Sequence, residues 1–206
     1  MDMNNLIKIF TITLFLISPF SSISDIKNKS NQLIIEADAS IEYFEDKQTY
    51  IASGNAKAYK NNFILKGDNI KAIMIQKNKD QKIQRIIARG NVYINKDNEI
   101  AKAEIADYNF ETNVIILKGK YQSFRNSKMK IEASKIIEFN DMSKKAYSLG
   151  DVKLSLKNSI KIISNELRAN FTKIDNSIID AKANGNVKIL TKLETILCNS
   201  AKFENS

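Results

Sequence analysis

From position 32 onward, apolar and polar residues alternate in short runs separated by Asn, Asp, Lys and Gly, and no long helical spacing interrupts them. Period-two alternation is the signature of strands with one buried face. Five of the six glycines precede Asn or Asp, at Gly54, Gly67, Gly90, Gly150 and Gly185. Three of these pairs open similar strands, NVYI at 91–94, DVKL at 151–154 and NVKI at 186–189, and NAKA at 55–58 is a weaker version. A glycine in that place points to a bulge or tight turn where a side chain would not fit.

A second element alternates with the first and centres on a small residue followed by a mainly polar one. Its centres are Ala37, Gly67, Ala103, Ala133, Ser164 and Cys198, spaced 30 to 36 residues apart. In four copies the apolar positions step by three after the centre, as in Leu65, Gly67, Ile70 and Ala72. A step of three turns a strand's inward face outward unless a bulge restores it. The first copy keeps one phase from Leu33 to Tyr43, and the copy at Ala133 is ambiguous because Ile136 and Ile137 are both apolar. The unit is therefore about two strands, repeated five to six times, and its apolar face is buried only by stacking copies. The polar stretches 76–82 and 95–99 read as turns.

The first 24 residues differ. Lys8 precedes an apolar stretch from Ile9 to Phe20, interrupted by Thr11, Thr13, Ser18 and Pro19, and Ser22 and Ser24 stand at small-x-small spacing. The stretch is short for a membrane span, which takes about 20 residues, so residues 1–24 are expected to be a signal peptide cleaved near Ser24/Asp25. Residues 25–206 are expected to form one domain, secreted after cleavage. A retained N-terminal anchor is the rival reading.

Composition narrows the chemistry. There is no histidine, which removes the usual general base, the Ser-His and Cys-His pairs and the commonest metal ligand. Asp38, Asp68 and Glu104 recur at repeat positions, as turn or strand-edge residues do, rather than as a paired acid and base. No spacing indicates a metal, so no cofactor, metal or catalytic residue is expected and the chain reads as a non-enzyme. The single cysteine, Cys198, excludes an intramolecular disulfide, and the only proline is Pro19. Net charge is +9, which fits an anionic partner; secretion argues against nucleic acid.

The ordered motifs IEADA at 35–39, IASGNA at 51–56, LKGDNI at 65–70, ARGNV at 88–92 and AKAE at 101–104, followed by Tyr108, resemble LptA/OstA-type domains. LKG at 117–119 resembles a later strand of that family, with Lys120 where Asn or Asp is usual. The resemblance is good from 32 to 156 and weaker beyond. It implies an all-β, repeat-built, curved β-jellyroll, V-shaped with two facing antiparallel sheets, that binds lipopolysaccharide through its lipid A in the periplasm. It also implies a bridge between inner and outer membranes, assembled head to tail with itself or with similar domains of inner-membrane and outer-membrane partners. An apolar groove for acyl chains would be lined by Phe63, Leu65, Ile70, Ala72, Val92, Ile94, Val152, Leu154, Leu156, Val187 and Ile189. Phosphates would meet rim lysines, with Lys57, Lys71, Lys102, Lys153 and Lys188 as candidates. The assembly edges would be 32–37 and 192–198, through Ile34, Ile35, Leu193 and Ile196. Alternatives are the anchored, LptC-like partner of the same pathway, a fragment like the N-terminal domain of the outer-membrane assembly protein, and a ligand-free periplasmic scaffold.

Overall fold

The computed structural model describes residues 33–77, 80–157, 159–174 and 176–204. The expected signal segment and its cleavage point, with Gln32, lie outside the described residues. The strands are β1 (Ile34–Glu36), β2 (Ser40–Phe44), β3 (Thr49–Lys60), β4 (Phe63–Lys77), β5 (Asp80–Lys96), β6 (Glu99–Asn109) and β7 (Val114–Lys118). They continue with β8 (Gln122–Arg125), β9 (Met129–Ala133), β10 (Ile136–Asn140), β11 (Lys145–Leu156), β12 (Lys161–Phe171), β13 (Ile178–Leu190) and β14 (Thr195–Glu204). Among the described residues the one helical element is a 3-10 turn at Glu45–Lys47. All pairings are antiparallel and join the strands into one sheet. Strands β4, β5 and β6 run further than the polar stretches implied: β4 reaches Lys77, β5 runs from Asp80 to Lys96, and β6 starts at Glu99.

One line of irregularities crosses this sheet. Register shifts fall between Ser53 and Ala56, Lys66 and Asn69, Arg89 and Val92, Leu149 and Val152, Ile163 and Glu166, and Asn184 and Val187. In β3, Gly54 and Asn55 together oppose the single residue Asp68, which is the count of a β-bulge. Gly54, Asn55, Gly90, Asn91, Gly150, Asp151, Gly185 and Asn186 all have positive φ. Glycine takes that conformation freely and Asn or Asp tolerates it, which is why the repeat writes a Gly-Asn or Gly-Asp pair at this line. Gly67 is the exception: its φ is not left-handed, and a Cβ there would stand 3.2 Å from the Arg89 carbonyl oxygen. At the same line β1 gives way to β2, β7 to β8 and β9 to β10, each pair lying on one strand path.

The bulges crease the sheet into two leaves. One, the β7 leaf, contains β2, β7, β10 and the neighbouring segments of the long strands; the other, the β8 leaf, contains β1, β8, β9 and the rest. The two facing sheets are thus halves of one continuous sheet. Their inner faces share one core, from Ala52, Ile70, Ile86, Ala106 and Leu167 on the β7 leaf to Ala58, Leu65, Val92, Ile131 and Leu154 on the β8 leaf. Apolar burial of this kind is the main stabilising term. The small centres Gly67, Ala103, Ala133 and Ser164 are buried beside the crease, where the leaves converge and room is least. The step of three appears as expected in β4, β6, β12 and β14, each paired to a bulged strand. The ambiguous copy resolves without a flip: Ile137 is buried with Ala133, and Ile136 faces out.

Candidate functional site

Away from the crease the leaves separate and leave a cavity of ≈ 430 Å³, within the range of ligand pockets. Its walls are apolar. Phe63, Leu65, Ile94, Ala101, Phe124 and Ile131 come from the β8 leaf, and Ile86, Ala106, Tyr108, Ile115, Leu117, Ile137 and Phe139 from the β7 leaf. The Phe124 and Phe139 rings stack across the gap with centroids 6.3 Å apart, and Phe171 meets Phe139 edge-on at 5.8 Å. A second cavity of ≈ 120 Å³ lies among β12, β13 and β14, lined by residues that include Ile162, Leu167, Ile189 and Phe203.

The turns at the leaf tips carry the polar rim. Lys60, Lys96, Asp97 and Glu99 stand on one side of the cavity and Asp141 on the other. Lys96 Nζ reaches Asp141 Oδ2 at 3.2 Å, and Lys144 Nζ donates to Asp141 Oδ1 at 2.5 Å. This ion pair ties one leaf to the other. Burial works against the Asp141 charge, but the bonds from Lys144 and Lys96 outweigh it and hold the carboxyl below its ordinary pKa. Burial likewise disfavours charge on Lys96, and Asp141 outweighs it, so that pKa is raised. Burial, then the nearby Asp141, pushes the Tyr108 phenol up. Further along, Asn176 donates to Glu99, and Lys128 Nζ donates to Ser177 Oγ at 2.6 Å. The leaves are thus clasped tip to tip at several points.

The expected groove residues divide. Phe63, Leu65 and Ile94 line the larger cavity and Ile189 the smaller. Val92, Val152 and Val187 are buried beside the crease, Ile70, Ala72 and Leu154 are buried in the packed core without lining the larger cavity, and Leu156 is half-buried against that core. Sequence reasoning missed Phe124, Phe139 and the Lys96–Asp141 pair. The aromatics sit in the short strands β8 and β10, where the repeat is broken, and the ion pair joins residues far apart in sequence.

The expected rim lysines are corrected. Lys57, Lys102 and Lys153 lie between buried neighbours on the β8 leaf, and Lys188 between buried Val187 and half-buried Ile189, so they face outward, as Lys71 does on the β7 leaf. None lines the cavity rim.

Both ends of the sheet are open among the described residues: β1 and β2 pair only with β3, and β14 only with β13. Ile34 and Ile35 lie on one edge strand and Ile196 on the other. Leu193 is corrected: it sits in the β13–β14 turn, not on the edge strand. Thr191 Oγ1 accepts bonds from the Leu193 and Glu194 N–H groups, which closes that turn. The edge itself runs on to Glu204, and β2 adds 40–44 to the opposite edge.

The geometry can be set beside known proteins. No curated protein sequence matches the chain. Among solved structures, the crystal structure of LptH, described as the LptA homologous periplasmic component of the conserved lipopolysaccharide transport device from Pseudomonas aeruginosa, is similar at 14% identity and a TM-score of 0.47. The likeness covers 54% of this chain and 78% of that one. Residues 34–140, more than half of the chain, match the family described as the LptA/(LptD N-terminal domain) LPS transport protein. The chain therefore belongs to the LptA/LptD N-terminal-domain family of lipopolysaccharide transport proteins.

Proposed function

We propose that this protein carries lipopolysaccharide through the periplasm, holding lipid A acyl chains in the cavity between the leaves and passing them on through edge-paired copies or similar domains. The observation that carries the reading is the ≈ 430 Å³ cavity with apolar walls from both leaves. Acyl chains need dry walls and make no directional bonds, which such a lining supplies. Polar residues are confined to the rim, where a headgroup would remain in water. The open edges at β1/β2 and β14 present unpaired N–H and C=O groups, and such edges template further strands. The role is carriage rather than catalysis.

The test is photo-crosslinking inside cells from Ile94 and Phe124 on the cavity wall, with outward-facing Lys66 as the control. Lipopolysaccharide adducts from the wall positions and not from Lys66 are expected. Equal labelling from all three, or none from the wall, would overturn the reading.

A further inference from the structure

Strand register assembles a feature on the outside of the β8 leaf that no local stretch of sequence contains. Residues paired directly across successive strands run Glu36, Lys57, Lys66, Tyr93, Lys102, Ser123. The same row continues through Glu132, Lys153, Ile163, Lys188 and Leu197. Five lysines thus share one cross-strand row. At about 4.8 Å per strand, Lys57 and Lys188 stand roughly 40 Å apart along it. The parallel row two residues toward the tips adds Arg125, Lys130 and Lys161. Lys57 lies directly opposite Lys66, and Arg125 opposite Lys130, although like charges in that position are destabilising. Glu36 and Glu132 relieve only Lys57 and Lys130. Among the described residues Lys66, Lys102, Lys153 and Lys188 are exposed, and their side chains have neither hydrogen-bond nor ion-pair partners.

The β7 leaf is built differently. Its corresponding outer row interleaves Glu42, Asp107 and Glu138 with Lys71, Arg168, Lys182 and Lys202. Arg85 is held by Asp107 and Arg168 by Glu166. The β8-leaf row sets five lysines against two carboxylates and the β7-leaf row four bases against three, so the excess of positive charge is concentrated on one outer face, with Tyr93 and Ile163 set between the lysines.

We propose that the outer face of the β8 leaf docks on an anionic phospholipid bilayer. The row is too long for a single phosphate and repeats at strand spacing, as suits a field of headgroups. The surface potential of an anionic membrane attracts basic residues by about 1 kcal/mol each, about fivefold per lysine in reach. The sheet is twisted, so a flat surface meets only part of the row at once.

The test uses the secreted full-length protein in co-sedimentation with vesicles of phosphatidylcholine alone, or of three parts phosphatidylcholine to one part phosphatidylglycerol. The expected result is binding to the mixed vesicles only, lost at about 1 M salt. The combined variant K66Q/K102Q/K153Q/K188Q is expected to bind at least about tenfold more weakly, because two lysines in reach suffice for that loss. The matched variant K71Q/K118Q/K145Q/K182Q, with the same charge change on the other leaf, is expected to stay within about twofold of the parent. Indifference to phosphatidylglycerol, equal loss in both variants, or capture of an acidic protein without vesicle binding would each overturn the proposal. Loading with soluble lipopolysaccharide, followed in parallel, reads the cavity separately, so either reading can fail without the other.

Discussion

At the scale of single residues, the crease depends on backbone conformations that few side chains accept. Gly90 has φ +73, and a Cβ there would stand 2.0 Å from Asp68 Oδ2. Asp68 itself accepts bonds from the Asn91 side chain, as Asp38 does from Asn55. Two of the recurrent carboxylates that the sequence places at turn or strand-edge positions, Asp38 and Asp68, thus brace bulges. Gly90→Ala is expected to destabilise by about 1–2 kcal/mol from the left-handed φ alone, with a further loss from the contact with Asp68. Urea unfolding measures the loss. In the double variant with Asp68→Ala the contact with the carboxylate is relieved while the 2.9 Å approach to the Cβ of residue 68 and the φ cost stay, so partial recovery is expected. Full recovery would mean that backbone strain is not the cause.

At the scale of elements, one strand pattern serves two purposes according to the strand's place along the sheet: Ile94 and Leu154 lie in the same cross-strand row, through Ala101, Phe124 and Ile131. Leu154 in β11 is 0% exposed and lies in the core, whereas Ile94 in β5 is on the cavity wall. Leu154→Asp buries an unpaired charge, at a cost of at least about 3 kcal/mol, and is expected to abolish the fold by circular dichroism. Ile94→Asp directs its carboxylate into a cavity that water reaches, so the fold is expected to persist while lipid binding is lost. If both variants unfold alike, the wall at Ile94 is core. The edge elements carry a separate expectation. Ile196 faces inward on β14, opposite Ile189. An inward-pointing charge on an edge strand blocks further pairing. Ile196→Lys should therefore suppress concentration-dependent association in light scattering while leaving the monomer folded. Association unchanged from the parent would rule out pairing through β14.

At the scale of the whole molecule, the leaves are hinged at the crease and clasped at their tips. Asp141, with its pKa held down, contributes stability above the unfolded value of about 3.9 and loses it as pH falls through its lower folded value. Lys96, with its pKa raised, contributes fully below about 10.4 and loses that contribution as pH rises through its folded value. The clasp is therefore expected to hold throughout the neutral range and to weaken in acid. Its side chains are partly exposed, so the pair is worth no more than about 1 kcal/mol, or roughly fivefold in the opening equilibrium. Asp141→Asn is expected to speed uptake of a fluorescent lipopolysaccharide by up to that factor at neutral pH and to remove the acid dependence. Uptake that is unchanged at both pH values would mean the Lys96–Asp141 pair does not gate the cavity.

The sequence by itself determined what is local and periodic. Period two marks the strands, the Gly-Asn and Gly-Asp pairs mark the bulges because only such residues take positive φ cheaply, and the step of three in β4, β6, β12 and β14 marks the register shift. From these the repeat, the β class and the crease were legible, with the small centres placed where space is tight. Tertiary structure alone decided which inward residues line a cavity and which pack solid, because that depends on how far the leaves diverge at each strand. It also moved the lysines from the expected rim to the outer face and put Leu193 in a turn. The lysine row, the Phe124–Phe139 stack and the Lys96–Asp141 clasp all join residues from separate strands. Their physical basis is pairing register and leaf-to-leaf distance, quantities that appear only once the whole sheet has folded over its crease.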